Sequence, residues 1–150
     1  MNTRGEDKFI MFWISFNALY GYNAKKNNVK VKDETQINIL LNNFPNKQNK
    51  KTVVDLVNRH GDEIDELSNA NLISWNGKNR SEDLKKALNA QHNRNILKKT
   101  ALCIYAVRND LFHSGISPTS RESCTLILQD MIKSITKEII QEYTKRLEKP

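Results

Sequence analysis

The segment TSRESCTLILQDMIKSITKEIIQEYTKRLE, Thr119–Glu148, decides the class of this fold. Leu128, Ile132, Ile135, Ile139, Tyr143 and Leu147 recur at intervals of three or four, which sets them along one stripe of an α-helix. Thr119 with Glu122 reads as a capping box, each side chain satisfying a backbone N–H that the first turn leaves open. Such a helix is ~45 Å long at the α-helical rise. No stretch of the chain alternates with period two over a useful length. The spacing therefore predicts an all-α fold, a four- or five-helix bundle forming one domain over residues 1–150.

Upstream, Gly115 and Pro118 stop the preceding helix. That helix starts at Ser81, whose hydroxyl caps it, with Glu82 and Asp83 in the first turn. It runs through Ile96, Leu97, Ala101, Ile104 and Val107 to His113, with a break near Asn93. The first helix covers about residues 6–20, carrying Phe9, Phe12, Trp13, Phe16, Leu19 and Tyr20, and Gly21 ends it as a left-handed cap. Its wide apolar face predicts a central, heavily buried helix. Asp33 and Gln36 read as a capping box for a short helix through Ile37, Leu40 and Leu41, closed by Pro45. Another carries Val53, Val54, Leu56 and Val57 and ends at Gly61. Residues 62–80 hold one more helical segment around Ile64 and Leu67, then a loop through Trp75-Asn76-Gly77.

With 150 residues, 38% hydrophobic and 27% charged, the chain has the composition of a soluble globular domain. No apolar run approaches the ~20 residues that span a bilayer. The longest, Phe9 to Phe16, follows Glu6 and Asp7 and leads to no small-residue cleavage site, so it reads as a core helix of a cytoplasmic protein. Cys103 and Cys124 both lie in apolar helical patterns and read as buried free thiols. A net charge of +7 points to an acidic partner such as nucleic acid. However, 17 of the 24 basic residues are Lys, in a chain crowded with Asn and Ile, a bias that an AT-rich genome produces unaided. The distribution says more than the total. Lys85 to Arg108 contains six basic residues and no acid, whereas acids gather at Asp62-Glu63-Ile64-Asp65-Glu66. Arg94, Lys98 and Lys99 in that basic flank are the candidate RNA-binding residues.

The flank leads into Arg108-Asn109-Asp110-Leu111-Phe112-His113. Arg108 lies four residues after Ile104 and three before Leu111, on a stripe that should be apolar. Burying an unpaired guanidinium is prohibitive, so it must be paired or face a cleft. His113 falls in the last turn of its predicted helix, where the macrodipole favours a protonated imidazole, and shares a face with Asn109 four residues earlier. These residue types suit metal-independent RNA cleavage. A base must take the 2′-hydroxyl proton, an acid must protonate the departing 5′-oxygen, and a cation must hold the phosphorane. His113 would move protons, Arg108 would present donors to phosphate oxygens, and Asn109 would orient the phosphate or the imidazole. One imidazole cannot be base and acid in the same step, so a homodimer joining two copies across one groove is expected.

The chain resembles the HEPN superfamily, whose hallmark is Arg-x(4–6)-His with a polar residue after the Arg. Arg108-Asn109 and His113 match the shortest spacing, and the aromatic-rich helix from Phe12 to Tyr20 and the long closing helix fit as well. The resemblance implies a single HEPN-like helical domain, usually dimeric. It implies an endoribonuclease of a toxin–antitoxin or phage-defence system, with Arg108, Asn109 and His113 catalytic and RNA as substrate. An antitoxin or other regulatory protein would be the further partner.

His60 and His92 read as surface residues and Trp75 as a loop anchor. With no phosphate-binding glycine loop, nucleophile elbow or paired cysteines, neither cofactor nor metal is expected. The alternative is a non-catalytic helical module binding a nucleotide, an RNA or a protein partner. It requires Arg108 or His113 to be buried and paired away from any groove.

Overall fold

The computed structural model describes residues 3–26, 32–111 and 118–148. Among these residues there are seven helices: α1 (Thr3–Lys26), α2 (Asp33–Asn43), α3 (Lys50–Arg59), α4 (Gly61–Ser68), α5 (Arg80–Ala90), α6 (Asn93–Asp110) and α7 (Pro118–Glu148). The all-α class matches the periodicity, with only an isolated bridge between Ile73 and Asn79. The count exceeds the expected four or five because the chain from Val53 to Val107 forms four separate helices, with breaks at His60, beside the expected end at Gly61, and at Gln91, two residues before the expected break near Asn93. His60, at φ −108° and ψ 27°, separates α3 from α4, so Gly61 opens a helix rather than ending one. Gln91 adopts a left-handed φ of 57° and ends α5. His92 then caps α6, its Nδ1 accepting from the Asn95 N–H at 3.2 Å.

The central helix is α6, not α1. Nine of its residues between Ile96 and Val107 are buried, and it packs against α5, α2 and α3. A helix apolar nearly all round must be enclosed by others, and burying each of Leu97, Leu102 and Ile104 contributes about 1.5–3 kcal/mol. α1 lies to one side against α7 and α2. Phe9, Trp13, Phe16 and Tyr20 face inward, while Met11 and Ile14 are 55% and 62% exposed. Trp13 joins the two helices by stacking on Tyr105 of α6 at 5.8 Å between ring centroids. Nor does α1 stop at Gly21. Asn23 and Ala24 are buried alongside Tyr20, so the packed face carries the helix through the glycine to Lys26.

Side-chain ties hold the loops. Glu138 of α7 is buried, accepting from the Asn46 N–H at 2.7 Å and the Asn49 amide at 3.0 Å. Ser81 does not cap α5. Its hydroxyl donates to the Leu67 carbonyl and accepts from the Leu72 N–H, both at 2.8 Å, while Asn79 is the cap, accepting from the Glu82 N–H at 3.0 Å. The expected caps at Asp33 and Thr119 likewise sit inside their helices, which begin at Asp33 and Pro118. Proline suits a first helical position because its missing N–H has no partner there in any case.

His60 is buried rather than on the surface, with Nε2 2.6 Å from Asp130 Oδ2, and Arg59 Nη1 lies 3.1 Å from the same oxygen. Burial alone would raise the Asp130 carboxyl, but the hydrogen bonds from His60 and Arg59 outweigh it and hold that group below its ordinary range. His92 is exposed, as expected. Cys103 and Cys124 are buried free thiols. Among the described residues, no helix is long and apolar enough to cross a membrane.

Candidate functional site

Because α6 is packed along most of its length, its C-terminal turn is where side chains escape the core. Val107 is fully buried, and the next residue, Arg108, is exposed. It faces a cleft of about 420 Å³ and so meets the requirement that its position imposes. Arg108 Nη1 donates to Asn109 Oδ1 at 2.9 Å. Among the described residues no carboxylate pairs with Arg108, so a neutral amide orients the guanidinium without cancelling its charge.

Three other segments complete the cleft. Lys32 and Glu34 come from the start of α2, Arg80 from the start of α5, and Trp75 from the turn between α4 and α5. That turn is closed by the Gly77 N–H donating to Ser74 O at 2.9 Å, with Gly77 at a φ of 83° that other residues avoid. Tyr105, held by its stacking on Trp13, adds an aromatic wall. The lining holds three cations, Lys32, Arg80 and Arg108, against the single carboxylate of Glu34. Glu34 is itself engaged, with Oε2 2.6 Å from Arg80 Nη2 and Oε1 3.8 Å from Lys78 Nζ. The Tyr20 phenol is buried within electrostatic reach of Arg108, Tyr105 and Asp33. Burial and then the Asp33 carboxylate push its ionisation up, while Arg108 pulls it down.

The structure thus brings Arg108 and Asn109 together on one cleft. Residues 112–117, and His113 with them, lie outside the described residues, so the expected helical continuity from Asn109 to His113 falls there too. The basic flank does not converge on this cleft. Arg94 donates to the backbone carbonyls of Leu41, at 2.9 Å, and Pro45, covering the C-terminal end of α2. Burial lowers the Arg94 guanidinium, which Glu138 partly offsets. Lys98 donates to Asn42 Oδ1 at 2.9 Å and is lowered by burial, Lys99 and Arg94. Lys99 lines an adjoining groove that shares Glu34 and Arg80 with the first.

Lys32, Arg80 and Tyr105 line the cleft without any sequence signal that marks them as site residues, and Trp75 carries one only as an aromatic beside an Asn-Gly turn, where the sequence suggests a loop anchor. It is 72% exposed. Among the described residues, no group of three His, Cys, Asp or Glu side chains is arranged to hold a metal ion.

No family model, curated protein or solved structure matches the chain.

Proposed function

We propose that this chain is a HEPN-type endoribonuclease that cleaves RNA without a metal ion and acts as a homodimer. The observation that carries the reading is the exposed Arg108, oriented by Asn109 in a cleft that is basic, concave and about 420 Å³ in volume. A guanidinium with its charge intact presents several fixed donors to phosphate oxygens and gains most as the phosphorane accumulates charge. In this reading the 2′-oxygen attacks the adjacent phosphorus and the bond to the 5′-oxygen breaks. His113 of one copy takes the 2′-hydroxyl proton, and a second His113 protonates the departing 5′-oxygen. The products carry 2′,3′-cyclic phosphate and 5′-hydroxyl ends.

The exposed position of Arg108 favours this reading over a module in which that residue is buried in a structural pair. Unpartnered apolar surface supports the dimer. Tyr22, Ile140 and Tyr143 line one groove between α1 and α7, and each is more than half exposed.

Incubation with tRNA and a structured RNA in excess EDTA tests the proposal. Wild type should cleave and leave cyclic phosphate ends, whereas Arg108→Ala and His113→Ala should not. Sedimentation should find a dimer. Absence of cleavage by a folded, dimeric wild type across an RNA panel would favour the non-catalytic binding module.

A further inference from the structure

We infer that the Arg108 cleft takes an unpaired base against Trp75, so that the substrate is read as a single strand or loop rather than as a duplex. The inference rests on the nuclease reading for its choice of RNA over DNA. Its physical basis is the placement of one side chain.

Trp75 is 72% exposed on the rim of a cleft whose other lining groups include Lys32, Arg80 and Arg108. Leaving so large an apolar ring in water forgoes the burial that usually holds a tryptophan in place. Its turn is nonetheless well defined, with Ser74 N–H donating to Lys78 O at 2.8 Å and Gly77 N–H donating to Ser74 O at 2.9 Å. The backbone that carries the ring is therefore held beside the cations instead of on a loose tail. A flat aromatic face next to a row of cations is the combination that single-stranded nucleic acid fits. The base stacks on the ring while its phosphates meet the charges. A duplex keeps its bases stacked on one another and offers this ring nothing. Arg80 is 3% exposed and paired with Glu34, so it braces the edge of the cleft, and Lys32 and Arg108, both exposed, are the cations open to a phosphate.

The two tryptophans make the test direct, because Trp13 is 5% exposed and stacked in the core. Fluorescence of the full chain would be titrated with an eight-nucleotide 2′-fluoro oligoribonucleotide, which has no 2′-hydroxyl to attack, its 2′-deoxy counterpart and the duplex of each, and anisotropy of the same oligomers carrying a terminal dye would give the affinities of all three proteins. Wild type, Trp75→Ala and Trp75→Phe would run in parallel, with helicity checked by circular dichroism. Both single strands should quench the emission of wild type and the duplexes should not. Trp75→Ala should bind the single strands about tenfold or more weakly, and Trp75→Phe should recover most of that loss. Duplex binding as tight as single-strand binding, or affinity unchanged in Trp75→Ala, overturns the inference. Cleavage lost in Arg108→Ala, with affinity indifferent to Trp75, would remove the stacking subsite and leave the nuclease. Single-strand binding that needs Trp75, in a chain that cleaves nothing, would remove the nuclease and leave the subsite.

Discussion

Arg80 Nη2 lies 2.6 Å from Glu34 Oε2, and this contact joins the start of α5 to the start of α2 at the edge of the candidate site. Arg80 is 3% exposed and the Glu34 side chain 26%, so the pair sits largely out of water. It also sets a cation at a helix N-terminus, where the macrodipole opposes it.

Glu34→Ala should therefore destabilise the protein by about 3 kcal/mol, because it leaves a buried guanidinium without its counter-charge. Arg80→Met, which removes the charge and keeps the stem, should cost less than Glu34→Ala. Urea denaturation of the two variants measures the order. Equal stability of wild type and Glu34→Ala would refute the role given to the pair.

Gly21→Ala should stabilise the chain by about 0.5–1 kcal/mol. Gly21 is inside α1, its φ is not in the left-handed region, and nothing lies within 4 Å of where a Cβ would stand. The midpoint of thermal unfolding should rise. A fall would mean that the helix is interrupted at Gly21.

The Asp130 carboxyl is held below its ordinary range by His60 and Arg59. A depressed carboxylate contributes stability that is present above the unfolded value of about 4 and is lost as pH falls through the lower folded value. Asp130→Asn should accordingly be less stable than wild type at pH 7, with the difference shrinking below about pH 4. Parallel curves for the two proteins down to pH 2 would contradict this.

Cys103 and Cys124 should resist alkylation in the folded protein. Burial pushes the Cys103 thiol up to about 12 and the Cys124 thiol well above its usual value, so neither offers a thiolate near neutral pH. Iodoacetamide at pH 8 should leave both unmodified in buffer and modify both in guanidinium chloride, as read by mass spectrometry.

If the chain is the nuclease proposed above, Asn109→Asp should lower cleavage about tenfold or more, because a carboxylate in place of the amide would pair with Arg108 and compete with the phosphate. Asn109→Gln should retain more activity than Asn109→Asp. Initial rates in EDTA on one RNA decide the order.

Several of these features were legible in the linear pattern. The run from Leu128 to Leu147 at three- and four-residue spacing is α7, and the two thiols inside apolar stripes are buried. Arg108 on an apolar stripe was a contradiction that only pairing or a cleft resolves, and the cleft is there. The breaks at His60 and Gln91 were legible to within one or two residues, as an end at Gly61 and a break near Asn93, but the left-handed backbone at Gln91 was not, because glutamine does not announce that conformation. The role of Ser81 was misread for a related reason. A hydroxyl before two acids looks like a cap, but the carbonyl of Leu67 and the N–H of Leu72 compete for it once the α4–α5 loop folds back.

Helical periodicity is a local property, because residues three or four apart share a face whatever the rest of the chain does. That is why the all-α class, the span of the last helix and the exceptional position of Arg108 follow from order along the chain alone. Which faces meet is a long-range matter. Whether Arg94 and Lys98 lean on the end of α2, or Lys32, Trp75 and Arg80 gather around Arg108, depends on how α2, α5 and the intervening turn pack on α6. Those segments are some 30 to 75 residues apart in sequence, and only the burial of a shared core brings them together.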